Sequence, residues 1–323
     1  MSGVNRITVA DADDGLRLDK WFKRHYPDLP FGRLARLLRT GQVRVDGKRA
    51  KAGQRLEAGV EIRVPPLGAA QSEVRRRGTP VRPEDVAAIR AMTLYEDDDV
   101  LVLDKPPGLA SQGGTGTSRH VDGMLEALRE GDERPLLVHR LDRDTSGVLV
   151  LAKTRRVAAT LGKAFRSRRA RKIYWALVVG VPEMVEGRIA APLAKEAQSR
   201  GERMEVSGDG KRAVTLYRVM DRAARKAAWL ALMPLTGRTH QLRVHCVHMG
   251  HPIVGDGKYG GKAAHLAGQV SGKLHLHARR IVLDHPRGGT IDVTAPLPAH
   301  MAESWRLFGF NADENVDPFP ETL

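Results

Sequence analysis

From Leu94 onward the apolar residues come in short runs of strand length: Val100 to Leu103, Val148 to Leu151, Ile173 to Val179, Trp229 to Met233 and Ile291 to Thr294. Only two stretches, near Val121 to Arg129 and Arg155 to Arg166, read as helical. Strands outnumber helices, so the pattern predicts a mixed α+β domain built on a largely antiparallel sheet. No GxGxxG or P-loop lies between a strand and a helix, which disfavours dinucleotide and nucleoside triphosphate use.

The first 66 residues form a different unit. Leu34, Leu37 and Leu38 fall on one face of a helix while Arg33, Arg36 and Arg39 fall on nearly the opposite one. Gly41 supplies a stop, and Val43 and Val45 alternate with Arg44 before Asp46-Gly47, a two-residue hairpin signal. A second alternating strand, Val60, Ile62 and Val64, ends at Pro65-Pro66, which cannot continue a ladder. Two short helices followed by a small sheet resemble the S-four-type RNA-binding domain over roughly residues 16 to 64, and Arg33, Arg36, Arg39 and Arg44 are its candidate RNA contacts. Residues 67 to 85, rich in Gly, Ala, Arg and Pro and including Arg75-Arg76-Arg77, read as a basic flexible linker; 86 to 323 form the larger domain.

Charge narrows the partner. The net formal charge of +15 with pI near 10.3 favours a polyanion, because each neutralised phosphate releases condensed counterion. Residues 1 to 82 hold 18 Lys and Arg against 9 Asp and Glu, so over half of the excess sits in the first quarter. Nucleic acid is the expected partner, ahead of an anionic membrane surface. No apolar run reaches the 18 residues of a membrane span. The single cysteine, Cys246, excludes a disulfide framework, and Met1 to Gly15 lacks the apolar stretch of a secretory signal. A cytoplasmic protein is expected.

The most informative segment is Leu137 to Lys153, where His139, Arg140, Asp142, Arg143, Asp144, Thr145 and Ser146 sit between apolar Leu137-Val138 and Val148 to Leu151. A charged loop is held between buried strands, and alternating Arg and Asp can keep each carboxylate ionised. The residues alone mark a site without naming its reaction. His139-Arg140-Leu141-Asp142-Arg143-Asp144-Thr145-Ser146-Gly147 resembles the signature of the RluA/RluC/RluD family of pseudouridine synthases. Four further segments match in order: Asp104 to Gly108, Lys172 to Leu177, Thr236 to His245, and Leu274 to Ala278. The resemblance spans about residues 16 to 300, and the attached N-terminal module points to the RluC type. Ala110-Ser111-Gln112 departs from the pattern, since many relatives carry a His there, and leaves that loop's contacts open.

The resemblance implies isomerisation of uridine to pseudouridine in RNA, with large-subunit ribosomal RNA as the expected substrate. Transfer RNA, or a noncatalytic role in ribosome assembly, are the alternatives. It makes Asp142 the catalytic carboxylate, attacking C1′ or removing the C2′ proton. Arg243 is expected to pair with Asp142, Tyr174 to stack on uracil and serve as a candidate base at C5, Arg140 to enter the space of a flipped nucleotide, and Leu276 to line the pocket. Isomerisation needs no cofactor or metal, and the spacing of His240, His245, Cys246, His248 and His251 matches no zinc motif. A monomer is expected.

Overall fold

The computed structural model describes residues 4–27, 29–67, 82–113, 117, 119–130, 133–167, 169–196 and 203–320. The chain divides into two compact units, Met1–Pro80 and Val81–Leu323.

In the first unit, β1 (Asn5–Thr8) precedes two helices, α1 (Leu18–His25) and α2 (Phe31–Arg39), followed by β2 (Arg44–Val45), β3 (Lys48–Arg49) and β4 (Glu61–Val64). The strands form an antiparallel sheet in the order β1-β4-β2-β3. The leucine face of α2 is buried at Leu34 and Leu38 against Leu18, Trp21, Phe22, Val43 and Ile62, and its arginines remain exposed. Asp46 and Gly47 both take positive φ, 46° and 73°, as a tight hairpin of matching twist requires. The sequence pattern gives no sign of β1; it pairs only with β4, and its residues are mostly exposed.

Of the segment read as a linker, residues 68–81 lie outside the described residues. Its last three residues belong instead to the first turn of α3 (Pro83–Ala91), because Pro83 fits a helix start and Glu84 and Asp85 suit the positive end of its dipole.

The second unit continues with β5 (Thr93–Glu96), β6 (Val100–Lys105), α4 (Val121–Met124), β7 (Leu136–Leu137), β8 (Ser146–Ala152), α5 (Arg155–Arg166), β9 (Arg171–Val179) and β10 (Glu186–Ala190). Then come β11 (Leu193–Lys195), β12 (Met204–Val206), β13 (Val214–Ala223), β14 (Ala227–Pro234), α6 (Gln241–His248), β15 (Leu276–Asp284), β16 (Thr290–Thr294) and α7 (Ala299–Phe308). The central sheet runs β10-β13-β14-β9-β15-β8-β6-β5, with β16 beside β15 and β7 beside β8. The fold is mixed α+β and its sheets are mostly antiparallel; the β8–β15 pair is parallel.

That pair matters for the site because β8 starts where the charged loop ends. Gly147 opposite Ala278 has φ 104°, and a Cβ there would lie 2.2 Å from the Ala278 carbonyl oxygen, so only glycine lets the strands meet. Ser146 locks the register: its Oγ lies 2.9 Å from His277 Nδ1. All seven residues of β8 are buried, which accounts for its continuous apolar reading. On the other half of the sheet, Trp175, Trp229, Trp305 and Phe310 pack ring against ring and anchor α7.

Candidate active site

The loop between β7 and β8 carries Asp142, and its backbone is pinned on both sides of that residue. Ser111 Oγ donates to Leu141 O at 2.8 Å and accepts the Leu141 N–H at 3.1 Å. On the other side, Lys105 Nζ donates to the carbonyls of Pro106, Leu109 and Arg143 at 2.9, 2.7 and 3.0 Å, and Gly108 N–H donates to Arg143 O at 2.9 Å. Burial pulls the Lys105 ammonium down to about 7, opposed by the nearby Asp144, Asp142 and Asp104. Its three N–H donors meet three carbonyl acceptors, an arrangement that favours the charged form. Thus the divergent Ala110-Ser111-Gln112 segment supplies a clamp on the charged loop. Ser111→Ala is expected to cost about 1–3 kcal/mol, since it strands a buried N–H and C=O, and chemical denaturation reads this directly.

His139, at the start of the loop, is structural. Its Nε2 accepts the Val150 N–H at 2.9 Å and its ring stacks on Phe165, so burial holds it neutral with its pKa pushed down to about 3. His277 and His275 are likewise buried, at about 3 and about 4. In each case the folded pKa lies below the unfolded value near 6.5, so the unfolded chain binds more protons and stability falls as pH drops from about 6.5 toward 4. Each imidazole contributes a slope of about 1 kcal/mol per pH unit. Asp104, which burial pushes up to about 6, works in the opposite sense between about 6 and 4 and offsets one of the three. Urea titrations at pH 7 and pH 5 should therefore show a marked loss of stability at the lower pH.

A cavity of about 1220 Å³ opens over the loop. It is lined by Arg140, Asp142, Tyr174, Arg243 and Leu276, so every residue singled out in this unit from the sequence meets the same space. The Asp142 side chain is 22% accessible at its wall. Burial raises its pKa, while the charges of Arg243, Arg140, Lys105 and Lys258 oppose that rise and favour the anion. A carboxylate with a raised pKa is a better base and nucleophile than an exposed one.

Arg243 influences Asp142 through charge, and its hydrogen-bonding fork closes elsewhere. Nε and one terminal nitrogen bind the two oxygens of Asp256 at 2.8 and 2.6 Å, with both side chains buried. The sequence expectation paired Arg243 with Asp142 and did not include Asp256. Arg243 sits on α6, which is held by a polar network: Gln241 Oε1 accepts Thr236 Oγ1 and Arg238 N–H, and Gln241 Nε2 donates to Val214 O and Thr215 Oγ1. His245, buried beneath, lies 2.9 Å from Thr215 Oγ1 and 3.0 Å from Ala191 O. The Thr236 to His245 segment is thus mostly scaffold for one guanidinium.

Tyr174 on β9 packs against Leu276 and Ala278 on β15, and burial together with the Asp142 charge raises its phenol pKa. A neutral aromatic ring therefore faces the cavity. Arg140 is exposed at the rim. Lys172, half-buried in the same wall, has its ammonium pKa lowered by burial. Arg143 Nε donates to Gly108 O at 3.1 Å, which ties it to the loop.

In the first unit Arg33, Arg36, Arg39 and Arg44 are all exposed. Arg33 donates to Leu67 O in the stretch after β4, and Arg44 to Gly41 O and Gly47 O, so the first also holds that stretch and the second braces two turns. Among the described residues no group of three or more His, Cys, Asp or Glu is placed to hold a metal, and none of the helices is long and apolar enough to cross a membrane. Cys246 is buried, with its thiol pushed up to about 12, and is chemically quiet.

Comparison with known proteins gives a consistent picture. Residues 99–248 match the family profile described as RNA pseudouridylate synthase. The chain is 40% identical over 299 residues to the ribosomal large subunit pseudouridine synthase C of Escherichia coli O6:H1, covering 90% of this chain and 93% of that protein. It is 38% identical over 304 residues to the protein of the same name from Vibrio cholerae, covering 93% and 96%. Among solved structures, human RNA Pseudouridylate Synthase Domain Containing 4 superposes with a TM-score of 0.58 at 28% identity, covering 70% of this chain and 96% of that one.

Proposed function

The chain belongs to the RluA family of RNA pseudouridylate synthases, and from that premise we propose that it isomerises specific uridines of large-subunit ribosomal RNA with Asp142 as the reacting carboxylate. The observation that carries the assignment of Asp142 is its placement: an acidic side chain in the cavity wall, with its neighbours on both sides clamped and four cations favouring its anion. The substrate class follows from relatives whose names specify the ribosomal large subunit and which this chain matches over nine-tenths of its length.

Pseudouridylation breaks the N1 to C1′ bond, turns the uracil and rejoins it through C5. A carboxylate beside the sugar can attack C1′ or take the C2′ proton, and Asp142 is suited to either by its raised pKa. The detached uracil must be retained, and the neutral Tyr174 ring with Leu276 provides an apolar slot for it. Because burial keeps the phenol protonated, Tyr174 serves as a stacking surface in preference to a phenolate base at C5. Arg140 at the rim is placed to enter the gap that a flipped nucleotide leaves in its helix.

The first unit acts as an RNA handle in this reading, working as a monomer in the cytoplasm. Replacing both Arg36 and Arg39 by Ala should weaken RNA binding and lower the salt slope by about 0.7–0.9 for each phosphate that is no longer neutralised, as measured by filter binding across a salt series. An unchanged slope would remove this helix face from the RNA interface.

The function itself is tested by site-resolved pseudouridine mapping of ribosomal and transfer RNA from a strain lacking the protein, complemented by wild type or by Asp142→Asn. Sites in large-subunit ribosomal RNA should vanish and return with wild type only. Loss confined to transfer RNA would move the substrate, and no lost site would favour a noncatalytic assembly role.

A further inference from the structure

His240 precedes the first residue of α6 with φ 53°, in the left-handed region. A non-glycine residue there is strained and persists only where its surroundings fix it, a condition most often met at functional sites. Its ring links Asp142 in the cavity wall to Tyr259 behind it. Nε2 lies 3.9 Å from Asp142 Oδ2, and Nδ1 lies 2.7 Å from the Tyr259 hydroxyl. Tyr259 is held in turn by its own contacts: its hydroxyl oxygen accepts the Met204 N–H at 3.0 Å, its own N–H donates to Asp256 Oδ1 at 3.2 Å, and the Arg243 guanidinium lies 5.0 Å from its ring centroid, with Arg203 and Lys258 each at 5.8 Å.

The hydrogen-bond partners of Tyr259 favour one tautomer. A phenolic hydroxyl has one proton to donate and accepts through oxygen. The Tyr259 oxygen receives the Met204 N–H, and its own proton, which burial favours, has His240 Nδ1 as an acceptor at 2.7 Å. A neutral imidazole that accepts at Nδ1 carries its proton on Nε2, the nitrogen facing Asp142.

We propose that Tyr259 locks His240 in the Nε2–H tautomer and that His240 is thereby a positioning residue for Asp142, presenting an N–H to Oδ2 and leaving Oδ1 for the reacting sugar. The inference rests on the assignment of Asp142 as the reacting carboxylate. The four cations around Asp142, namely Arg243, Arg140, Lys105 and Lys258, act on its charge; His240 adds a directional donor aimed by a neighbouring side chain. At 3.9 Å the contact is electrostatic, and a closure of about 1 Å makes it a hydrogen bond, as catalytic contacts commonly do when substrate binds. From the strained turn at His240 one ring lies within 2.7 Å of Tyr259 and 3.9 Å of Asp142.

The test uses the full chain labelled with ¹⁵N-histidine, with the His240 ring signals assigned by their loss in His240→Gln. The wild-type ring should show the Nε2–H pattern at pH 7.5, and Tyr259→Phe should shift it toward a mixture of tautomers. In turnover, Tyr259→Phe should lower kcat about 10–100-fold with KM changed by less than about threefold, the scale typical of groups that orient a reacting residue. His240→Gln, whose amide can place an N–H near the Nε2 position, should retain more activity than His240→Asn. A wild-type ring protonated on Nδ1 or on both nitrogens, or Tyr259→Phe with wild-type kcat, would overturn the proposal. Normal turnover by Asp142→Asn would instead sink the assignment of the carboxylate, and the ring tautomer, read without turnover, keeps the two failures apart.

Discussion

Asp142→Asn is expected to lower turnover on the order of 10⁴-fold or more while RNA affinity stays within about threefold of wild type. The amide has nearly the shape of the carboxylate, so Ser111 and Lys105 still hold the loop and the cavity keeps its form. What is lost is the anion, and neither attack at C1′ nor removal of the C2′ proton proceeds without it. Affinity is spared because phosphate attraction comes from the basic surface, and losing one negative charge in a positive site slightly favours RNA. Single-turnover assays with direct binding separate the two quantities. A variant that bound RNA poorly would show Asp142 to be a structural residue.

The second large effect concerns stability. Asp256→Ala should destabilise the second unit by about 3–5 kcal/mol, because it leaves the Arg243 guanidinium buried without its bidentate partner. For a unit of this size that corresponds to a fall in Tm of roughly 6–20 °C. The double variant Arg243→Met with Asp256→Leu removes both charges and should recover much of this loss, since a buried pair is often replaceable by apolar side chains. It should not recover turnover, because the Arg243 charge that favours the Asp142 anion is then absent. Calorimetry and turnover on wild type, Arg243→Met, Asp256→Leu and the double variant would divide the role of Arg243 into its structural and catalytic parts. Equal recovery of both would show that its charge is dispensable for Asp142.

Local signals are legible in the sequence where one short segment decides the structure. Arg155 to Arg166 reads as a helix and is one, and Asp46-Gly47 reads as a hairpin and turns with positive φ at both residues. The apolar runs of β6, β8, β9, β14 and β16 fall where strands form. Arg140, Asp142, Tyr174, Arg243 and Leu276 share one cavity, as the family motifs imply.

Elements whose surroundings decide their patterning are hidden. α6 has Gln241 to Cys246 all buried, so it shows no polar face to alternate with an apolar one. β13 and β10 lie toward the end of the sheet and are only partly buried, which blurs their alternation. Pairings over distance are hidden as well. Nothing in the Gly255 to Gly260 stretch announces that Asp256 holds Arg243, or that Tyr259 reaches His240, because both contacts depend on how a loop folds over α6. Lys105 stands in a motif whose sequence gives it no role, and its three carbonyl partners, one of them 38 residues along the chain, exist only in the folded state.

The parallel pairing of β8 with β15 fixes when the chain can become competent. His277 meets Ser146 across 131 residues of sequence, so a nascent chain that has already made the charged loop must wait until synthesis passes Ala278. At about 5–20 residues per second that wait is on the order of 10 s. During it, the buried, mostly apolar β8 has one edge covered by β6 and only the Leu151–Ala152 end of the other covered by β7, which leaves a stretch of edge of the kind that recruits unintended strands. Folding chaperones therefore have most to protect in this interval, and a ribosome that stalls before Ala278 releases a chain with its full signature segment and no working site.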